Sequence, residues 1–179
     1  STEEKVEEDL RRLEEKNRRH VREIEERLER MKEENRDHVR KLEEKLRRLD
    51  EEVRKVKEGG ETKDEELRRL EEELRRTLEE LRRSVDKSRK DHRREEETIT
   101  RSHEKLEEEH RRVLDDLRKK IRNRETLKRA ERKLRESLRH NREVLERARR
   151  ELKKSLDHND KALEDAERRI REIREELEK

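Results

Sequence analysis

The chain has 179 residues, 63% of them charged and 22% hydrophobic, with no aromatic, no Pro and two Gly, so it has apolar material for a thin seam and none for a globular core of ordinary thickness. Its 58 basic and 55 acidic residues leave a formal charge of +3; that balance, with strict periodicity, sets it apart from disordered chains of low hydrophobicity. The absence of Cys excludes disulfides and thiolate sites, no apolar run approaches a membrane-spanning length, and Arg and Glu alternate along every face with no aromatic to stack a base, which excludes a nucleic-acid reader.

The first predicted helix covers about residues 2–58. Ser1-Thr-Glu-Glu4 reads as a capping box and carries no signal-peptide pattern. The stripe Val6, Leu10, Leu13, Asn17, His20, Ile24, Leu28, Met31, Asn35, His38, Leu42, Leu46, Leu49, Val53, Val56 advances by three or four residues at each step, which is one helix face. A heptad plus an 11-residue repeat makes an 18-residue unit of five turns, between left- and right-handed supercoils, and predicts a nearly straight helix. That unit is written twice, as Asn17-Arg-Arg-His20-Val and Asn35-Arg-Asp-His38-Val. Gly59-Gly60 then ends the helix, a loop spans 59–63, and Thr62-Lys-Asp-Glu65 repeats the capping box.

The second predicted helix covers about 63–121, its stripe running from Leu67 through Leu81 and Val85 to Ile99, Leu106, Leu117 and Ile121. Ser88 to Thr98 holds no apolar residue, and Ser88, His92 and Glu95 or Glu96 are expected to fill the stripe there. After Ile121 the phase slips, so a loop is placed at 122–125 with Asn123 as a cap for either neighbouring helix. The third helix follows over about 124–178 through Leu127, Leu134, Asn141, Leu145, Leu152, Asn159, Ile170 and Leu177. Three near-equal helices and two short turns predict a single all-α domain over 1–179, a long antiparallel three-helix bundle, up-down-up and coiled-coil-like, with helices of about 80–85 Å.

Polar residues on the stripes match across an 18-residue shift: Asn17 with Asn35, His20 with His38, Ser84 with Ser102, His92 with His110, Ser137 with Ser155, His140 with His158, Asn141 with Asn159. Folding the chain at its turns faces His20 to Ser102, His38 to Ser84, His110 to Ser137 and His92 to Ser155. Two copies of one network result, about 27 Å apart at 1.5 Å per residue. The lower holds His20, His110 and His140 with Asn17, Ser102, Ser137 and Asn141; the upper holds His38, His92 and His158 with Asn35, Ser84, Ser155 and Asn159, and Ser88 lies on the same stripe. His103, outside the paired set, is either a seventh member or partly exposed. A neutral imidazole offers one donor and one acceptor, which Ser and Asn can complement without charge. Imidazolium is a donor at both nitrogens, so protonation removes that solution and puts a charge in a dry seam. All seven His protonated would add seven charges to +3, giving +10, and would draw an opened, Leu-striped helix toward anionic lipid.

With straight helices, Arg/Glu-rich surfaces, capping boxes and buried His-Asn-Ser sets, the whole chain resembles de novo designed helical bundles with histidine hydrogen-bond networks, built to be pH-responsive. The likeness is one of design style rather than homologous motif. It implies folding at neutral pH and opening in acid, in some members with membrane disruption. The better-known members are oligomers of shorter hairpins, whereas three long helices are enough to complete a bundle within one chain. A monomer is therefore expected, with a homo-oligomer as the alternative. Two competing readings are an inert, hyperstable scaffold whose networks only set helix register and pairing, and a His metal-binding bundle. Against the metal, no helix carries His at i, i+4 and no carboxylate pairs with them regularly. No Ser-His-acid set suggests catalysis. The expectation is a non-enzyme with no cofactor, no metal and no nucleic-acid partner, and with membrane interaction only in acid.

Overall fold

The backbone is nearly all strong helix formers with no Pro to interrupt them. The computed structural model describes residues 2–60 and 64–178, and in it the chain forms α1 (Thr2–Glu58), α2 (Asp64–Lys120) and α3 (Arg124–Glu178), with no strand among the described residues. Acidic first turns at Glu3 and Glu4, at Asp64, Glu65 and Glu66, and at Glu125 complement the positive ends of the helix dipoles. The N-cap residues of both expected capping boxes, Ser1 and Thr62, lie outside the described residues.

The first turn closes with the Gly59 N–H donating to the Lys55 carbonyl at 3.2 Å, and Gly60 then takes φ 75°. At the second turn α2 ends at Lys120, and Ile121 is buried while its N–H still donates to the Leu117 carbonyl. Asn123 caps the helix that follows rather than the one before: its Oδ1 accepts from the Glu125 N–H at 3.0 Å.

The interhelix bonds give the directions. Asn17 on α1 meets His110 on α2 and Asn141 on α3, and Asn35, further along α1, meets Ser88, earlier on α2, and Asn159, later on α3. So α2 runs antiparallel to α1 and α3 parallel to it, an up-down-up three-helix bundle.

Two compact units divide the chain, each taking a segment of every helix: residues up to Arg30 with Arg93–Leu152, and Met31–His92 with residues from Lys153 on. In the first unit Val6, Leu13, Leu106, Leu117, Ile121, Ala130 and Leu134 form the apolar cluster. In the second, Leu49, Val53, Leu70, Leu74, Ile170, Ile173 and Leu177 do so, and Arg169 grips Asp50 with two guanidinium nitrogens, Nη2 to Oδ1 at 2.6 Å and Nε to Oδ2 at 3.2 Å. Thr77 occupies a stripe position between Leu74 and Leu81, and is tolerated there because its hydroxyl donates to the Glu73 carbonyl at 2.8 Å. The apolar-free stretch from Ser88 to Thr98 stays helical. His92 is buried, Ser88 and Glu95 are half-buried, and Glu96 is exposed.

Gly60 is left-handed and an added Cβ there would meet nothing within 4 Å, whereas Gly59 has an ordinary φ and an added Cβ 3.5 Å from the Lys55 carbonyl oxygen. Gly60→Ala is therefore expected to cost about 1–2 kcal/mol from backbone strain alone, while Gly59→Ala should be neutral or stabilise by up to about 1 kcal/mol by restricting the unfolded chain. Urea denaturation followed by circular dichroism separates the two; equal costs would contradict this account of the turn.

Candidate functional site

In the first unit the polar site is built around Asn17. Its amide Nδ2 donates to Ser137 Oγ and to His110 Nε2, the latter at 3.0 Å, and its Oδ1 accepts from Asn141 Nδ2 at 3.1 Å. His110 is 1% exposed, and its Nδ1 stands 2.7 Å from the Leu106 carbonyl oxygen, which can only accept. The proton therefore sits on Nδ1, and Nε2 offers a lone pair to Asn17. With the two carboxamides as placed, His110 is satisfied as a neutral ring. A second proton would set Nε2–H against the Asn17 N–H. Turning the Asn17 amide mends that contact only if Asn141 turns with it, which puts the Asn141 NH₂ where its Oδ1 now lies, buried and without a partner among the described residues.

Beside this set His20 shares a hydrogen bond between its Nδ1 and the Ser102 hydroxyl at 3.1 Å. His103, 5% exposed, donates through Nε2 to Glu107 Oε1 at 3.0 Å, and Arg142 Nε reaches the same oxygen at 2.9 Å. The rings of His20 and His103 lie 6.2 Å apart.

Burial pushes His110 below its ordinary value of 6.5, with the nearby His103 adding to the shift and the Leu106 carbonyl, Glu109 and Glu107 opposing it. His20 is lowered too, first by burial and then by His103, against an opposing pull from Glu23. The Glu107 carboxyl is held below the usual 4.5, chiefly by the hydrogen bond from Arg142 and also by the one from His103, while burial opposes both.

The second unit carries the same Asn-Ser-Asn-His core with different wiring. Asn35 and Asn159 exchange both of their amide bonds, Nδ2 to Oδ1 at 2.8 Å one way and 2.7 Å the other. Ser88 joins them, donating to Asn35 Oδ1 at 3.2 Å and accepting from Asn159 Nδ2 at 2.8 Å. Asn35 Nδ2 also donates to Ser155 Oγ at 3.0 Å. His92 Nδ1 faces the Ser88 carbonyl oxygen at 2.7 Å, so its Nε2 accepts from the Ser155 hydroxyl at 3.0 Å. A hydroxyl can turn round and accept where an amide NH₂ cannot, so the Ser155 hydroxyl adapts by itself to a proton on His92 Nε2, whereas at His110 two carboxamides must turn together. A cleft of about 180 Å³ lined by His38, Ser84, Lys87, Asp91 and His92 lies beside these groups.

Three of the residues expected in the buried networks are elsewhere. His140 and His158 are exposed, because each directly precedes an Asn that faces the seam, and adjacent helical residues point about 100° apart. His140 lines a groove of about 530 Å³ beside Asn17, Ser137 and Asn141 instead. His38 bonds the Ser84 hydroxyl through Nε2 but is itself exposed. His110 and Ser137 do not bond each other directly; both meet Asn17. In the other direction, sequence reasoning passed over Glu107 and Arg142, although the i, i+4 spacing of His103 and Glu107 was there to be read.

No protein-family model and no curated protein matches the chain. Among solved structures, a computationally designed three-helix bundle is similar at 15% identity, covering 99% of this chain and 81% of that one, with a TM-score of 0.36. A likeness that loose adds nothing to the fold, which stands on the three helices themselves.

Among the described residues no three or more His, Asp or Glu are grouped to hold a metal ion, and no helix is long and apolar enough to cross a membrane. The grouped polar residues form matched sets of hydrogen-bond donors and acceptors drawn from all three helices. Because Asn17 serves three partners, Asn17→Ala should lower the unfolding free energy by about 2–3 kcal/mol, the cost of stranding buried polar groups. Chemical denaturation at neutral pH checks this; a loss under about 0.5 kcal/mol, typical of a surface change, would remove Asn17 from the centre of the site.

Proposed function

We propose that the protein is an acid-responsive helical bundle, closed at neutral pH and opened when the buried imidazoles of the first unit take up protons, with no enzymatic role. The observation that carries this reading is His110, whose only free nitrogen is a lone pair held against an amide N–H. His110 and His20 have folded-state values below 6.5, so the unfolded or opened chain binds more protons than the closed one. Their stabilising contribution is whole above about pH 6.5 and is lost as pH falls from there toward the folded values. Glu107 is depressed from 4.5, so its contribution is lost only below that value. Between about pH 6.5 and 4.5 the contribution of His20 and His110 therefore falls while that of Glu107 is still whole.

In the second unit the reciprocal Asn35–Asn159 pair and the adaptable Ser155 hydroxyl favour a register-setting role. No large hydrophobic residue is exposed among the described ones, which supports a monomer while closed. Binding to an anionic membrane in acid is a weaker extension of the same proposal, needing the apolar stripes to be uncovered and the charge to rise from +3.

With no aromatic residue to report on packing, amide hydrogen exchange against pH is the suitable test. Protection in the first unit is expected to fall between about pH 6.5 and 4.5, and a His20→Gln/His110→Gln variant should keep its protection over that range. If parent and variant lose protection together, carboxylate titration is responsible and the imidazole mechanism fails.

Asn17→Asp offers a reversal. A carboxylate against His110 Nε2 stabilises the cation, so the folded value rises above 6.5 and the associated stability is lost as pH rises rather than as it falls. Histidine NMR titration reads the direction; a His110 value still below 6.5 in that variant would contradict the assigned geometry.

A further inference from the structure

Two buried ring nitrogens in the first unit have no protein partner. His20 Nε2 and His103 Nδ1 are both sealed from solvent, and neither meets a hydrogen-bonding group among the described residues. They belong to neighbouring rings on α1 and α2 whose centroids are 6.2 Å apart. The second unit has no such pair, because the position 18 residues before His103 is Val85.

The surroundings decide what these nitrogens offer. Glu107 accepts from His103 Nε2–H and is itself held by Arg142, so the His103 proton is fixed on Nε2 and Nδ1 carries a lone pair. At His20 the Ser102 hydroxyl contacts Nδ1 and accepts as readily as it donates. His20 is therefore free to keep its proton on Nδ1 and turn a lone pair out at Nε2. A carboxylate or hydroxyl behind each imidazole, fixing its tautomer, is the outer-shell arrangement of metal-bound histidine.

We propose that His20 Nε2 and His103 Nδ1 form a two-coordinate site for a monovalent d¹⁰ ion, Cu(I) or Ag(I). Two N–metal bonds of about 2 Å each, added to the distances from nitrogen to ring centre, span about 6 Å, which matches the ring separation. Divalent zinc wants four ligands, and no third metal-binding side chain is grouped with this pair; Glu107 is committed to His103 and Arg142. The charge environment suits a single positive charge, with Glu23 acting on His20 and Glu107 on His103, against Arg142 and the nearby His110.

Titration of the full chain with silver nitrate at about pH 7.5, above the ordinary imidazole value, tests this separately from any acid response. One Ag(I) per chain is expected, with the ¹⁵N resonances of His20 Nε2 and His103 Nδ1 moving together, and with no comparable response to Zn²⁺. His20→Gln and His103→Gln should each abolish binding, Glu107→Gln should weaken it about 10–100-fold, and Met31→Leu should leave it unchanged, the thioether being the other soft ligand in the chain. The unmodified chain decides if a variant fails to fold. Silver that leaves both ring nitrogens unmoved, as when a trapped water already satisfies them, or binding that disappears with Met31, overturns the site.

Discussion

Donor must meet acceptor in this seam, because there is no depth of core in which to hide a mismatch. Each helix contributes one row of inward side chains, so a polar group in that row finds its partner on a facing helix or one turn away on its own helix, or has none. Asn17 shows how tight the matching is. Its two N–H groups and one carbonyl oxygen are divided among Ser137, His110 and Asn141, and the second carboxamide of the set is left with a buried oxygen, Asn141 Oδ1, that has no hydrogen-bond partner among the described residues. Asn159 has no such deficit, because Asn35 is not diverted to a histidine and returns its bond in full. The two units thus illustrate two uses of one motif: a closed carboxamide exchange that pairs each amide fully, and an exchange opened to admit an imidazole lone pair.

Much of the architecture was legible because helix period, breakers and caps are local properties. The stripe from Val6 to Val56, the paired glycines and Asn123 each act within a few residues of themselves, and they place the three helices directly. The pairing of His20 with Ser102 and of His92 with Ser155 also followed from counting residues out from the turns. Exposure was harder to read. Asn141 and His140 are neighbours, so only one could face inward, and the spacing from Leu134 and Leu138 already favoured Asn141. His20 is buried and His38 exposed although both stand three residues after a buried Asn. On the facing helix His103 stands beside His20, and Val85 holds the place 18 residues before it. Such differences depend on what the opposite surface supplies, which no periodicity within one helix records.

Charge on the outer faces contributes little by comparison. Several of the ion pairs join side chains that are both half or more exposed, such as Arg11 with Glu7 and Arg112 with Glu108, and pairs of that kind are worth a few tenths of a kcal/mol each. Arg169 with Asp50, and Arg142 with Glu107, differ in that the carboxylate is mostly buried. They lie next to inward-facing residues, and they fix rotamers there more than they add net stability.

The duplicated 18-residue unit carries a hazard for folding. Sliding α1 by one whole unit against the other two helices would bring Asn35 to Asn141 and Ser137, an assignment in which carboxamide still meets carboxamide and hydroxyl. A misregistered chain could thus satisfy much of its buried polarity and persist as a trap, the frustration that internal repetition invites. What discriminates against it is the imperfection of the repeat. The unit is not written a third time: the same slide brings Val53, 18 residues beyond Asn35, against Asn159, Ser88 and Ser155, so the second unit's polar set loses its carboxamide partner. Contacts between α1 and α3 span up to 124 residues of chain and close late in folding. The stranded polar set therefore penalises the slipped register at the step where the error would otherwise be sealed in.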